Sequence, residues 1–488
     1  MGDMILRTMA TLLRGALLVI CLPMIASPNV LFICVDDLRP ALACYGDPVA
    51  KTPHMDRLGA KGMIFRNAFC QQGVCSPSRL SMLTGLRPDT IEVWDLKTHF
   101  RKAVPDAITL PQQFKRHGYL TQSIGKIFHG SGDPSKDPQS WSVDPIYDYV
   151  RDPALRYATP RNLAGTGLKR GAYEAAAVSD DTYVDGKVCR LAEAALSSLA
   201  EGSQPFFLGV GFRKPHLPFC APKQYWELYQ RDEFQVPRFT EHPDGAPEWA
   251  TRSWRELEGY SDIPADARLS DEKIQTLRHG YYACVSYVDA LIGRLLSRVK
   301  ELNLEKDTII CLWGDHGFHL GEQGIWAKAN NYEWSTRVPL IIAAPGIEFG
   351  ARSCDALVEL VDVYPTLTEL CGLPTPAELE GSSMVKLFSQ PRLPWKFAAF
   401  SQFPRAMTQH RHIGSGDIMG RAMRTKRYRY VEWRRTNDGR LLGTELYDRF
   451  VDDDESINRA DDSAYAARVT WLSERLQSGW QAALPAKN

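Results

Sequence analysis

The sequence predicts an α/β protein in which helices flank a large, mostly parallel central sheet, with a small C-terminal α+β subdomain carrying an antiparallel sheet. Three observations carry this. Short continuous apolar runs recur along the chain, as strands buried on both faces do. Helical patterns separate them, as the crossovers between parallel strands require. From about Trp395 this alternation gives way to a hairpin pattern.

In chain order, Arg7 and Arg14 precede the apolar run Gly15 to Ala26, which ends in small residues at Ala26 and Ser27. That is the order of a secretory signal peptide, assigned to residues 1–27, and about a dozen apolar residues is too short to span a bilayer. A buried apolar helix is the alternative. Residues 28–395 form the main domain and 396–488 the subdomain. Asn29–Val35 is the first strand. Thr52 and Pro53 give an N-cap and a first helical position, with the helix running to about Lys61. Leu110–His117 is helical, Gly118 closes it, and Tyr119–Ile124 is a strand. Further strands are Phe206–Gly211, Thr308–Trp313 and Leu340–Ala344, and a long amphipathic helix from about Ser270 to Lys300 feeds the strand at Thr308. Residues Asp133–Arg170 are long and irregular, as a pocket rim would be. In the subdomain, Arg424–Trp433 reads as a half-exposed strand of alternating basic and aromatic residues, with a polyanion patch as the alternative. Asn437-Asp-Gly439 is a hairpin turn and Glu445–Asp448 a return strand. Asp452–Glu455 reads as a solvated loop, and Ser463 can cap a last helix from about Ala464 to Ala483.

The 488 residues carry 58 basic and 58 acidic side chains, with 44% hydrophobic and 24% charged residues. This excludes a disordered or collagen-like chain and argues against nucleic-acid binding, which leaves a basic excess. Past the leader no stretch reaches transmembrane length, so an exported protein without stable membrane insertion is expected. Cys21 lies in the leader; the other ten of the 11 cysteines are scattered singly. Most read as buried thiols, although Cys354 and Cys371 could pair. The absence of an Asn-x-Ser/Thr sequon favours a bacterial periplasm.

Asp36 and Asp37 follow the first strand at its carboxyl end, where open α/β sheets place ligands. Adjacent carboxylates repel unless a cation lies between them. A helix cap is the alternative. Asp315 and His316 follow the strand Thr308–Trp313 in the same way. Mostly oxygen ligation suits Ca²⁺ or Mg²⁺ better than zinc. A cationic set also recurs at strand ends: Lys126 and His129, Lys214 and His216, Lys328, and Arg79. Several donors converging on one point suit an anionic tetrahedral group, so the combination reads as sulfuryl or phosphoryl transfer. The nucleophile candidate is Cys75, which Pro77 places at the positive end of a helix. A reactive thiolate is the default reading there. It fits poorly beside carboxylates and a hard cation.

Cys75-Ser-Pro-Ser-Arg79, followed by Leu80-Ser-Met-Leu-Thr-Gly85, resembles the signature of type I sulfatases, in which the cysteine of Cys-x-Pro-x-Arg becomes formylglycine. The resemblance extends in the family's order to Val35-Asp-Asp-Leu-Arg-Pro40, Gly125-Lys-Ile-Phe-His129, Arg213-Lys-Pro-His-Leu-Pro-Phe219, Gly314-Asp-His-Gly317, Trp326-Ala-Lys328 and Met419–Tyr430. It spans essentially the whole mature chain. The Asp-Asp-Leu-Arg-Pro, Lys-Pro-His and Asp-His-Gly segments are most similar to the iduronate-2-sulfatase branch, where His rather than Asn stands at the position of His316. The resemblance implies an alkaline-phosphatase-like sandwich.

It further implies one Ca²⁺ held by Asp36, Asp37, Asp315, His316 and residue 75, and a maturase as partner. Hydrated formylglycine 75 would attack sulfur with one hydroxyl, giving a sulfo-enzyme and the free sugar alcohol, and its second hydroxyl would then expel sulfate. Arg79 and Lys126 would orient the diol, and His129 would serve as base. Lys126, His216 and Lys328 would contact the substrate, with His216 or Lys328 protonating the leaving group. The implied substrate is a 2-O-sulfated uronate. Ulvan-type or other algal glycans, a phosphoesterase or phosphonate monoester hydrolase of the same fold, and a non-catalytic binder of sulfated glycan are the alternatives.

Overall fold

The computed structural model describes residues 27–130, 137–146, 152–167, 170–252, 256–264, 269–406 and 416–485. The proposed leader therefore lies outside the described residues apart from Ser27, as does part of the expected rim at 133–170.

The longer elements are, in chain order, β1 (Asn29–Val35), α1 (Pro53–Lys61), β2 (Met63–Phe69), α2 (Cys75–Thr84), α3 (Leu110–Arg116), β3 (Leu120–Gly125), β4 (Tyr173–Ala176), α4 (Val184–Ala200), β5 (Phe206–Phe212), β6 (Phe219–Pro222), α5 (Asp271–Glu301), β7 (Thr308–Gly314), β8 (Arg337–Val338), β9 (Leu340–Ala343), β10 (Ser353–Glu359), α6 (Val363–Leu370), β11 (Ala398–Arg405), β12 (Ile418–Thr425), β13 (Tyr428–Arg435), β14 (Leu441–Asp448) and α7 (Ala466–Gln477). The main sheet has the order β10-β2-β9-β7-β1-β5-β3, with β8 paired to β2. β1, β3, β5 and β7 are mutually parallel, and β9 runs against both β7 and β2.

β1 sits at the centre and divides the core. Successive side chains of a strand point to opposite faces, so Leu31, Ile33 and Val35 pack into a cluster with α1, α4 and α5. Val30, Phe32 and Cys34 join a second cluster built with α2, α3 and α6. Burial on both faces is why β1, β5 and β7 read as unbroken apolar runs. α5 is the longest support. Ser270 caps it by accepting the Lys273 amide, with Asp271 and Glu272 in its first turn. α1 is held differently from the expected Thr52 cap: the Asp289 carboxylate of α5 accepts the His54 and Met55 amides, while Thr52 makes no such bond.

β2 and β10 were not legible as strands. SCDALVE carries polar residues because β10 is the outermost strand, with part of its length open to solvent, and MIFRNAF because Arg66 and Asn67 of the neighbouring β2 are only half-buried.

The C-terminal unit is a four-stranded antiparallel sheet, β11-β12-β13-β14. α7 covers one face, around Phe400, Met423, Tyr430 and Leu446. The other face packs Ile418, Val431 and Trp433 against Tyr332 and Ala250 of the main domain. Four expectations are corrected here. Arg424–Trp433 is not one strand but the end of β12, a turn at Lys426 and Arg427, and most of β13. Thr425 closes that turn by exchanging hydrogen bonds with Tyr428, so no glycine or asparagine marks it. Nor is the segment half-exposed, because Arg424 and Arg429 are buried against Glu333, with Arg429 also paired to Glu455. Glu455 is thus fully buried rather than part of a solvated loop. Finally, Asp462 rather than Ser463 caps the last segment, which is a single turn, α7, and a separate turn at Trp480–Ala483 after Gly479.

The ten described cysteines are unpaired, and nine are buried. Cys354 and Cys371 do not form a bridge; their thiols point to the carbonyls of Pro391 and Pro28. Among the described residues no helix is long and apolar enough to cross a membrane.

Candidate active site

The site lies at the carboxyl ends of β1, β3, β5 and β7, where the chain turns out of the sheet. β1 ends in Asp36 and Asp37, and β7 ends in Asp315 and His316, whose loops are tied together by Asp37 N–H donating to Asp315 Oδ1 at 3.1 Å. Asp37 adopts φ of 61°, in the left-handed region that aspartate tolerates better than most residues. β3 ends at Gly125 (φ 80°), and a Cβ there would lie 2.1 Å from Gly211 O. One on Gly211 would meet Lys126 O at the same distance. Glycine at both positions lets the strand ends close up, with Lys126 N bonded to Gly211 O at 2.8 Å.

Cys75 opens α2, whose ten residues are all buried, and Val74 is its cap. Cys75 Sγ lies 3.5 Å from Asp36 Oδ1, 3.5 Å from Lys126 Nζ and 3.1 Å from His316 Nε2. Asp36, Asp37, Cys75 and His316 each bring a donor atom to within 4.8 Å of the others. Asp315 stands beside this group, its oxygens taken by the amides of Asp37 and His316 and by Arg79 Nε at 2.8 Å. Arg79 is fully buried: Nη2 reaches Asp36 Oδ1 at 3.1 Å, and Nη1 donates to the carbonyls of Lys126 and Ile127, which with the Nε bond uses four of its five N–H donors. Lys126 Nζ meets Asp36 Oδ2 at 2.5 Å.

These contacts fix the charges. Burial raises the Asp36 carboxyl, but Lys126 and Arg79 outweigh it and hold Asp36 well below the usual carboxylate range. Asp37 is pushed up to about 8 by burial, with Asp36 adding to the effect against Lys328. Its Oδ1 is buried without a hydrogen-bond partner. Burial lowers His316, yet Asp315, Cys75 and Asp37 carry it to about 9. A buried carboxylate oxygen without a hydrogen bond, 3.5 Å from the His316 imidazole, is an environment that a hard cation would satisfy.

The remaining cations divide. Lys328 Nζ bonds Asp37 Oδ2 at 2.8 Å and Glu256 Oε2 at 3.2 Å. His216 accompanies it through the same carboxylate, Nε2 standing 3.6 Å from Glu256 Oε1, while Nδ1 bonds the Leu217 carbonyl at 2.7 Å. His129 has a buried Nδ1 with no hydrogen-bond partner, and burial and Lys126 push the ring down to about 3. Lys214, expected among the site cations, instead donates to the carbonyls of His216 and Pro218. Its role is to brace the loop that presents His216. Two residues escaped the sequence reading. Asp185 of α4 accepts the Arg213 and Lys214 amides and so anchors that loop. Glu256 lies in a region with no strand end or motif to mark it.

The comparisons agree with this geometry. The family model described as Sulfatase matches residues 28–373, and that described as N-sulphoglucosamine sulphohydrolase, C-terminal, matches 321–481. Iduronate 2-sulfatase of Homo sapiens is 35% identical over 87% of this chain and 89% of its own. A sulfatase of Formosa agariphila is 30% identical over 92% of this chain and 86% of its own. Among solved structures, a phosphonate monoester hydrolase of Silicibacter pomeroyi superposes with a TM-score of 0.76 at 23% identity, covering 94% of this chain and 96% of that one. The α/β fold is alkaline-phosphatase-like, with a mixed, mostly parallel sheet and a C-terminal four-stranded antiparallel one. A family match over most of the chain, joined to a cysteine at a helix start among carboxylates and fixed cations, leads to one assignment: the chain belongs to the sulfatase family and is a sulfuric ester hydrolase related to iduronate 2-sulfatase.

Proposed function

We propose that this protein is exported to the periplasm and removes the sulfate of a 2-O-sulfated uronate from a glycosaminoglycan-like saccharide. The substrate is inferred from likeness to human iduronate 2-sulfatase. The observation that carries the catalytic reading is the position of Cys75 Sγ, at the start of α2 and within 3.5 Å of Asp36, Lys126 and His316. That sulfur stands in for the oxygens of formylglycine. Once a maturase has converted residue 75, its hydrated aldehyde supplies one hydroxyl as nucleophile and a second to release sulfate. Ca²⁺ fits the donor set, and Asp36, Asp37, Asp315, His316 and residue 75 would hold it, adding positive charge where the sulfuryl oxygens lie.

The chain's own residues do the rest. Arg79, held by two carboxylates and two carbonyls, cannot swing, so it orients the nucleophile at no reorganisation cost during reaction. Lys126 neutralises the same side. His129, kept neutral by its surroundings, takes a proton from the diol. Lys126, His216 and Lys328 receive the sulfate oxygens, and His216 or Lys328 protonates the sugar oxygen. A sugar alkoxide is a poor leaving group, which is why a donor is required there.

The test is sulfate release by maturase-treated protein from 2-O-sulfated iduronate and glucuronate saccharides, compared with N- and 6-O-sulfated glucosamine, ulvan fragments and phosphate esters. A rate on a 2-O-sulfated uronate at least tenfold above the others is expected. Preference for a sulfated algal glycan, or phosphate release at comparable rates, would replace the substrate assignment.

A further inference from the structure

We propose that Glu256 is a positioning residue of the sulfate-transfer step, its two carboxylate oxygens dividing between His216 and Lys328 and fixing both donors on the leaving-group side. The inference rests on the roles given to those two residues above. Glu256 is 6% exposed. Oε2 takes Lys328 Nζ at 3.2 Å, and Oε1 faces His216 Nε2 at 3.6 Å. Each donor also has a second anchor. Lys328 Nζ bonds Asp37 Oδ2, which leaves one of the three ammonium hydrogens for an incoming group. His216 Nδ1–H donates to the Leu217 carbonyl, so only Nε2 can meet substrate, and that nitrogen is the one Glu256 faces. Burial and Lys328 hold the free ring neutral, so Nε2 donates only from the imidazolium, the form that a facing carboxylate favours.

The bond changes show why this placement matters. As the nucleophilic oxygen of residue 75 bonds to sulfur, the bond between sulfur and the sugar oxygen breaks and its electron pair stays on that oxygen. The oxygen then takes one proton, from the Lys328 ammonium or from Nε2 of a protonated His216. A donor held a fraction of an ångström away from the bridging oxygen contributes little to this step. The need scales with the leaving group: a nitrophenolate departs without a proton, and a sugar alkoxide does not. A carboxylate beside an anion site is otherwise unfavourable, because it repels sulfate. Glu256 lowers affinity for sulfate in exchange for aligned donors.

The experiment compares Glu256→Gln with wild type, both matured and both checked by mass for formylglycine and by thermal melt. Substrates are 4-nitrophenyl sulfate and the sugar sulfate that wild type cleaves fastest, with inorganic sulfate as competing inhibitor. The expected result is a fall in kcat of about 100-fold on the sugar sulfate and less than about threefold on nitrophenyl sulfate. Sulfate should inhibit the variant at the same or lower concentration. Glu256→Asp should recover part of the sugar-sulfate rate. An equal loss on both substrates, no loss on either, or weakened sulfate inhibition would overturn the proposal. His216→Ala and Lys328→Ala run alongside separate the two levels. If neither shows the leaving-group dependence, the donor roles are wrong; if one does and Glu256→Gln does not, only the inference about Glu256 fails.

Discussion

Asp36→Asn tests the charge assignments at the centre of the site. The substitution keeps the volume but replaces a carboxylate oxygen by an NH₂ group, which must then face either Arg79 Nη2 or Lys126 Nζ, both now bonded to Asp36 at 3.1 and 2.5 Å. All three side chains are buried to within 2%. Breaking a buried ion pair by removing one partner costs about 3–5 kcal/mol. Unfolding entropy near 60 °C is about 2.1 cal/mol/K per residue. For 488 residues that is about 1 kcal/mol/K, so Tm should fall by about 3–5 °C. The second effect concerns the cation. A ligand at 100 times its Kd stabilises by about 2.7 kcal/mol, so Ca²⁺ should raise the wild-type Tm by about 3 °C and leave the variant unmoved. The assay is thermal melting of both proteins with chelator or Ca²⁺, with sulfate release measured in parallel. Turnover should drop below detection. An unchanged Tm without activity would refute the charge-pair reasoning and spare the metal reading. A variant that still gains stability from Ca²⁺ and retains near-normal turnover would refute both.

Other outcomes follow from the same contacts. Cys75→Ala should fold with an unchanged Tm yet release no sulfate above background, and mass analysis of the peptide bearing residue 75 in wild type should show the loss that accompanies conversion of a thiol to an aldehyde. Glu333→Gln strips a shared partner from buried Arg424 and Arg429, so Tm should fall by about 3–5 °C while kcat stays within about threefold of wild type, as melting and turnover will show. The Glu322 carboxyl is raised by burial, but Arg39 and Arg278 outweigh this and hold it below its ordinary value of 4.5. Its contribution is therefore complete above pH 4.5 and is lost as pH falls from there toward its lower native value. Tm measured against pH should decline on the acid side, and Glu322→Gln should flatten part of that decline. With ten described cysteines unpaired, a reducing agent should leave Tm within about 1 °C.

The parts of the fold that could be read from the sequence are those where one physical demand dominates. β1, β5 and β7 are buried on both faces, so past Asn29 and Thr308 at the strand starts their residues are apolar or glycine and each strand announced itself. β10 is the outermost strand and β2 lies beside it, and there polar residues such as Arg66, Asn67 and Asp355 are tolerated and the pattern dissolves. The turn between β12 and β13 was missed because a threonine side chain closes it. Arg424 and Arg429 looked like surface residues because their partners, Glu333 and Glu455, are distant in sequence.

The same distinction runs through the site. Asp36, Asp37, Asp315 and His316 were legible because each follows a strand that could itself be recognised, and Cys75 because a helix start and a five-residue motif coincide. Lys214 satisfied the same positional rule and yet bonds to backbone carbonyls, which shows the limit of the rule: a strand end brings a residue near the site, and the local backbone decides which way its side chain turns. Glu256 shows the converse. It reaches His216 and Lys328 from a segment with no periodicity, so its contribution depends wholly on tertiary placement. In the proposed mechanism, chemistry common to all sulfate esters falls to residues that follow strand ends and to Cys75 and Arg79 of α2. Adjustment to a particular leaving group falls to a loop residue, free to change without disturbing the sheet, and the variant Glu256→Gln separates these two layers because it should alter the dependence on leaving group and leave the nucleophile untouched.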